Sequence, residues 1–205
     1  MIKRLGQRFA RLATDVVVRY PALWRIFRPF LRGMFDRIAP SWDSFRDAER
    51  TAPYEAALVA VPGEVRDALD VGTGTGDGAL VLATRFPGAN VVGVDVAPAM
   101  IVEAERKTPP ELRERLRYDV ADAAKLPYGD ASFDLVAHSN MIPFFDEVAR
   151  VLRPGGHVLF SFSAGAETPI YVSPERLRAE LDRRGFTDFA EFTAGRGNAL
   201  VARRD

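Results

Sequence analysis

The chain has no cysteine and only two histidines, His138 and His157, among its 205 residues. Without thiols there is neither a disulfide nor a thiolate metal site, and two histidines are too few for a histidine cluster, so no metal centre is expected and a reducing, cytoplasmic setting is the default. Long apolar runs are lacking as well. No stretch nears the ~20 residues that a spanning helix needs, and no apolar block precedes a small-residue cleavage site. Charge of one sign is also missing: 28 Lys and Arg balance 28 Asp and Glu. That removes the global positive field of a general nucleic-acid binder. What remains is enough apolar sequence for one core, with at most a short appendage.

The charge balance is uneven along the chain. Between Met1 and Arg37 the cations Lys3, Arg4, Arg8, Arg11, Arg19, Arg25, Arg28, Arg32 and Arg37 meet only Asp15 and Asp36. Ile2, Leu5, Phe9, Leu12 and Val16 recur at helical steps, with Lys3, Arg4, Arg8 and Arg11 opposite, which predicts an amphipathic helix. Beyond Pro21 a second stripe runs through Leu23, Phe27, Phe30, Met34 and Ile38, and Pro29 within it is expected to kink or restart the helix. Residues 1–50 thus read as amphipathic helices, either a lid over the core or a surface that meets an anionic membrane.

From about Ala52 short apolar runs alternate with helical stretches. Tyr54 to Val61 reads as helix, VRDALDV as strand, Ala79 to Arg85 as helix, ANVVGVDV as strand and Pro98 to Lys107 as helix. LRYDV, SFDLVAH and HVLFSFS are further strands, Phe144 to Leu152 and Pro174 to Arg184 further helices, and Ser173 suits the N-cap ahead of Pro174. Strands joined by helices pair in parallel, because a parallel neighbour needs a long crossover. FTDFAEFT and NALVARR, separated by AGRG, read instead as a closing antiparallel hairpin.

The stretch ALDVGTGTGDGAL, residues 68–80, places Gly72, Gly74 and Gly76 directly after the first strand. An open α/β sheet binds ligands at the carboxyl ends of its strands. Glycines there remove Cβ atoms, permit positive φ and present backbone N–H groups to the ligand. A dinucleotide turn needs G-x-G-x-x-G, whereas here the third position of that register is Asp77, which sets negative charge near any phosphate. Asp70, two residues before the first glycine, repels pyrophosphate and attracts an ammonium or a sulfonium. The chemistry favours a cationic ligand over a nicotinamide dinucleotide.

That turn, with Asp95 ending VVGVDV, Asp122 in VADAAKLPY, then SFDLVAHS and RVLRPGGHVLF, resembles the class I S-adenosylmethionine-dependent methyltransferases over roughly residue 52 to the C-terminus. The resemblance implies a Rossmann-like α/β fold for residues 51–205: a seven-stranded, mostly parallel sheet with an antiparallel last strand, helices on both faces and the N-terminal helices as a lid. It implies S-adenosyl-L-methionine as cofactor, with Asp70, Gly72, Thr73, Gly74 and Gly76 at its methionine end. Asp95 would hold both ribose hydroxyls, Val96 and Met100 would flank the adenine, Asp122 would accept from its amino group, and the Ala123 N–H would reach a ring nitrogen. The segment MFDRIAPSWD, residues 34–43, is similar to the opening of the quinone C-methyltransferases, where a tyrosine usually replaces Trp42. The asparagine- and methionine-rich stretch of that branch has no counterpart in SFRDAERTAPY.

His138 ends the fourth strand, where the transferred methyl would lie, and is the one residue suited to act as general base near neutral pH; a packed histidine is the alternative. HSNMIP is not the Asn/Asp-Pro-Pro-aromatic motif of enzymes that methylate base or glutamine amino groups, which opposes DNA adenine as substrate and leaves RNA open. A small apolar or aromatic acceptor, methylated on oxygen or carbon, is the leading expectation. A non-catalytic cofactor-binding scaffold, an RNA methyltransferase and a nicotinamide oxidoreductase are the competing ones.

Overall fold

The computed structural model describes the backbone of residues 2–45 and 49–205, and the side chains of 10–44 and 49–205. The expected stripe positions Ile2, Leu5 and Phe9 and the cations Lys3, Arg4 and Arg8 therefore have side chains outside the described residues, and SFRDAERTAPY falls partly outside them. Two helices open the chain, α1 (Ile2–Arg19) and α2 (Trp24–Ile38). Then α3 (Ala52–Ala57) leads into β1 (Asp67–Val71), α4 (Asp77–Arg85), β2 (Asn90–Asp95), α5 (Pro98–Lys107) and β3 (Leu116–Val120). The second half runs β4 (Phe133–Ser139), α6 (Phe145–Val151), β5 (Leu152–Phe162), α7 (Pro174–Asp182), β6 (Phe186–Ala194) and β7 (Gly197–Arg204).

The seven strands form one sheet in the order β3-β2-β1-β4-β5-β7-β6. Pairs from β3 to β5 are parallel, and β7 lies antiparallel between β5 and β6, as the closing hairpin requires. The strand order reverses beside β1, so the β1 and β4 carboxyl ends diverge there and leave a crevice. Each face of the sheet has its own apolar layer. Ala68, Leu135 and Leu159 meet α3, α4 and α5, while Val71, Val136 and Phe160 meet α1, α6 and α7. The Ser173 side chain accepts from the Arg176 N–H and caps α7.

Two expectations for the N-terminal helices change. α2 continues through Pro29; residue 29 is exposed, so water can serve the Arg25 carbonyl that loses its donor, while Trp24, Phe27 and Leu31 pack on the core. The buried face of α1 is also turned from the expected stripe. Leu12 is 63% exposed, whereas Ala13, Thr14, Val17 and Val18 are buried. Small side chains let α1 approach the core closely, and Thr14 satisfies its own hydroxyl on the Ala10 carbonyl at 2.8 Å. On α2, Phe30 points outward at 65% exposure, and Trp24 takes the buried place.

Gly93 of β2 lies under the glycine turn, and a Cβ there would stand 2.6 Å from the Tyr118 ring and 2.8 Å from Thr73 Oγ1. Gly93→Ala should cost about 1–3 kcal/mol through overpacking, read as a lowered denaturant midpoint with an unchanged m-value.

Candidate active site

The β1 strand ends in a carboxylate that is almost fully buried. Asp70 is 2% exposed and accepts from Thr73 Oγ1 at 2.6 Å and from Tyr54 Oη at 3.2 Å. Burial pushes its carboxyl up to about 7, against the pull of those hydroxyls and of the Ala79 N–H at the start of α4. A Cβ on Gly78 would stand 2.6 Å from Asp70 Oδ1, so this fourth glycine, unassigned in the sequence reading, is what admits the carboxylate against the helix. Tyr54 was likewise missed, since nothing in its own segment pairs it with residue 70.

Gly72, Gly74 and Gly76 all have positive φ, at 70°, 54° and 90°, a conformation that side chains disfavour. Their reasons differ. Gly72 and Gly74 line the crevice together with Thr73, and a Gly72 Cβ would meet Met141 Sδ at 2.7 Å. Gly76 does not line it: a Cβ there would meet Tyr118 Oη at 2.7 Å, so packing, not ligand approach, demands that glycine. The Gly74 N–H donates to Asp95 Oδ2 and the Ala97 N–H to Asp95 Oδ1, each at 2.9 Å. The Val96 N–H acts on the same carboxylate, and part of its accepting capacity remains. Val96, Met100 and Ala123 line the same cavity.

Asp122 is placed differently from the expectation. Its Oδ1 accepts from the Trp24 indole at 2.7 Å and the Ala124 N–H at 3.0 Å, and its Oδ2 from Arg28 at 2.5 Å. It borders a neighbouring recess with Arg28, Arg32 and Val96 instead of the main cavity, because α2 reaches it first. Asp77 also changes meaning. Arg50 Nε meets its Oδ2 at 2.8 Å and Lys107 Nζ its Oδ1 at 2.9 Å, so its charge is compensated.

His138 needs the clearest correction. It is 1% exposed, stacks on Phe160 with ring centroids 4.7 Å apart, and is absent from the cavity wall. Neither ring nitrogen has a partner among the described residues, and burial lowers its pKa to about 3. Strand alternation is the reason: Ser139, one residue on, points into the cavity. The imidazole is a neutral packing group. The ends of β4 and β5 instead present Ser139, Asn140, Met141 and Ser163.

The cavity measures about 530 Å³ and continues past the glycine turn into an apolar chamber walled by Leu31, Met34, Phe35, Ile142, Pro169 and Ile170. The N-terminal helices form much of that wall and are tied to both ends of the crevice. On one side Arg11 donates to the Ala166 carbonyl, and Asp15 pairs with Arg176 at 2.7 Å. On the other, the Ala99 N–H donates to Asp36 at 3.0 Å, and Asp43 binds Thr75 Oγ1 and Lys107 Nζ, each at 2.7 Å.

Comparison with known proteins agrees with this geometry. Residues 69–160 match the family model described as a methyltransferase domain. The demethylmenaquinone methyltransferase of Thermus thermophilus is 38% identical over 138 residues, covering 62% of each chain. A malonyl-[acyl-carrier protein] O-methyltransferase of Marinomonas is 33% identical over 143 residues, which is 66% of this chain and 52% of that one. The crystal structure of a SAM-dependent methyltransferase from Aquifex aeolicus superposes with a TM-score of 0.67 at 18% identity, over 80% of this chain and 97% of the other. Residues 69–160 thus match a methyltransferase domain, and the chain shares its fold with the A. aeolicus structure. It spans about three fifths of the length of the T. thermophilus relative.

Two outcomes follow from the site's electrostatics. The folded value of Asp70 lies above its ordinary 3.8, at about 7, so the folded chain holds a proton that the unfolded chain releases. Stability should therefore fall as pH rises from about 4 to 7, and affinity for a ligand that brings positive charge to Asp70 should climb over the same window, then level off. Calorimetry from pH 5 to 8 on the wild type and on Asp70→Asn, whose profile should be flatter, checks both. His138→Leu, which removes two unpartnered buried nitrogens, should raise stability by about 1–2 kcal/mol and leave methyl transfer within about twofold in a turnover assay.

Proposed function

We propose that the protein transfers the methyl group of S-adenosylmethionine to a small, largely apolar, quinone-like or phenolic acceptor. The observation that carries this reading is the continuity of one cavity from the Asp70, Gly74 and Asp95 cradle into the apolar chamber. The residues suit the cofactor. Asp70 is a buried carboxylate with no cation on it among the described residues, fit to face an ammonium or sulfonium. Asp95 offers two part-used acceptor oxygens to a ribose diol, and Val96 and Met100 give an apolar seat for adenine. Ala123 lies on the same wall.

The bound cofactor supplies a methyl carbon on a positively charged sulfur: the acceptor's electron pair forms the new bond while the carbon–sulfur pair stays on sulfur. The chain's work is then alignment and exclusion of water. Positioning alone can be worth ~7–11 kcal/mol, and the chamber residues Leu31, Met34, Phe35, Ile142, Pro169 and Ile170 carry no ionisable group. An acceptor acidic enough to lose its proton to solvent, such as a phenol or an enol, suits that wall. Residues 1–50 act as the lid over this site, and residues 51–205 as the catalytic domain. The name of the T. thermophilus relative supports a quinone-like acceptor, whereas that of the Marinomonas relative names O-methylation of a malonyl group on a carrier protein.

The outer face of α2 supports a finer reading of the partner. Ile26 and Phe30, each 65% exposed, stand one turn apart and are flanked by exposed Arg25, Arg32 and Arg37. An apolar ridge rimmed by guanidinium groups fits an anionic lipid surface, the source of an apolar acceptor. No described helix is long and apolar enough to cross a membrane, so the contact would be peripheral.

Calorimetry with S-adenosylhomocysteine should show saturable binding. Asp95→Ala should weaken it about 100-fold, the loss of two charge-assisted hydrogen bonds; saturation by a nicotinamide dinucleotide instead would defeat the reading. A cofactor-consumption screen over quinols, phenols, fatty acids, acyl carriers and RNA then identifies the acceptor. Vesicles with an anionic lipid should retain the full chain at low salt and lose it with Ile26→Ser combined with Phe30→Ser, whereas neutral vesicles should not hold it.

A further inference from the structure

The turn after β4 contains a residue that neither packing nor the cofactor cradle accounts for. Asn140 adopts φ +52°, a left-handed conformation that costs a non-glycine residue free energy and collects at functional sites. Ala131 and Asp188 share positive φ among the described residues, but only Asn140 lines the cavity. Its amide is clamped. Oδ1 accepts from the Ser163 N–H at 2.9 Å, Nδ2 donates to Ser163 Oγ at 3.1 Å, and its own N–H donates to the Ser161 carbonyl at 2.9 Å.

That clamp joins the carboxyl ends of β4 and β5 and fixes the orientation of the amide. It also sets the neighbouring residue, since Met141 packs where a Cβ on Gly72 would be. The turn therefore spans the step from the cofactor loop to the apolar chamber. Nδ2 carries two hydrogens, and Ser163 takes one. The second has no hydrogen-bond partner among the described residues, and the cavity it lines combines Ser139, Ser163 and Thr168 with apolar groups such as Met34, Phe35, Ile142 and Ile170.

We infer that Asn140 is the acceptor-positioning residue: its spare amide hydrogen holds a carbonyl, phenolic or enolic oxygen of the acceptor, beside or at the atom that receives the methyl. This rests on the methyl-transfer reading and narrows it to acceptors with an oxygen at the reacting end of an apolar ring. A neutral donor fixed in place favours the ionised phenol or enol by hydrogen bonding. The acceptor's proton passes to water, its oxygen or carbon pair bonds the methyl carbon, and the carbon–sulfur pair remains on sulfur. A carboxylate or phosphate acceptor would need a cation, and Arg50, the cation that lines the cavity among the described residues, is engaged by Asp77.

The test compares 1-naphthol with naphthalene, a probe pair differing in the oxygen alone, by equilibrium dialysis against the full chain saturated with S-adenosylhomocysteine. Wild type should hold 1-naphthol at least tenfold more tightly than naphthalene. Asn140→Gly, which relieves the positive φ and removes the amide, should erase that difference while binding S-adenosylhomocysteine within twofold of wild type. Asn140→Asp should weaken 1-naphthol further by replacing the donor with a second acceptor. Equal binding of the two probes by wild type, binding of neither, or a preference that survives Asn140→Gly overturns the assignment. Cofactor affinity, measured separately, reports on the methyl-transfer reading, so the two can fail independently. With an acceptor in hand, Asn140→Gly should raise KM and shift the kcat/KM profile to higher pH.

Discussion

The site turns on a carboxylate that the fold keeps out of water. Asp70 could be solvated at the end of its strand; instead it is enclosed by Tyr54, Thr73 and the first turn of α4, with no cation to balance it among the described residues. Much else answers that arrangement. Gly78 is bare because the carboxylate occupies the space of its side chain, and α3 lies where it does partly because Tyr54 must deliver its hydroxyl. An isolated buried charge is among the least favourable features a core can contain. The molecule tolerates it by surrounding it with three donors and leaving the last compensation to a ligand.

The first fifty residues join the α5 lysine Lys107 in partnering polar groups along the rim of the crevice. Trp24 and Arg28 take Asp122, Arg50 and Lys107 neutralise Asp77, and Asp36 caps the start of α5. Of the N-terminal cations, Arg28 is in space the partner of a carboxylate at the rim of the crevice, and Arg50 just beyond them is another. This also explains why an aspartate follows the glycine turn: it faces cations, not a phosphate.

The sheet was legible because its strands are short β-branched runs separated by helical periodicity, and the order of such elements leaves few topologies. The positions of Asp70, Gly72, Thr73 and Gly74 were legible because one tight turn sets them, and that of Asp95 because it ends the neighbouring strand. Residues whose meaning depends on a distant partner were not. His138 and Ser139 differ only in strand parity, which the register against β5 decides. Asp122 has a different environment because α2 lies 94 residues away in sequence and next to it in space. α1 shows one apolar stripe in sequence, yet the surface it meets takes in Ala13, Thr14, Val17 and Val18 instead of Leu12. Asn140 carries no local mark beyond a residue type that tolerates left-handed φ; its clamp on Ser163 is purely tertiary.

The N-terminal segment is fastened at both ends of the crevice, by Arg11 and Asp15 at the chamber and by Asp36 and Asp43 at the glycine loop. A single strap buckled at two points cannot slacken over one without loading the other. A ligand that shifted the strap in one half of the crevice would be felt in the other, and such a coupling would be symmetric: whatever free energy one half lent, the other would return in equal measure.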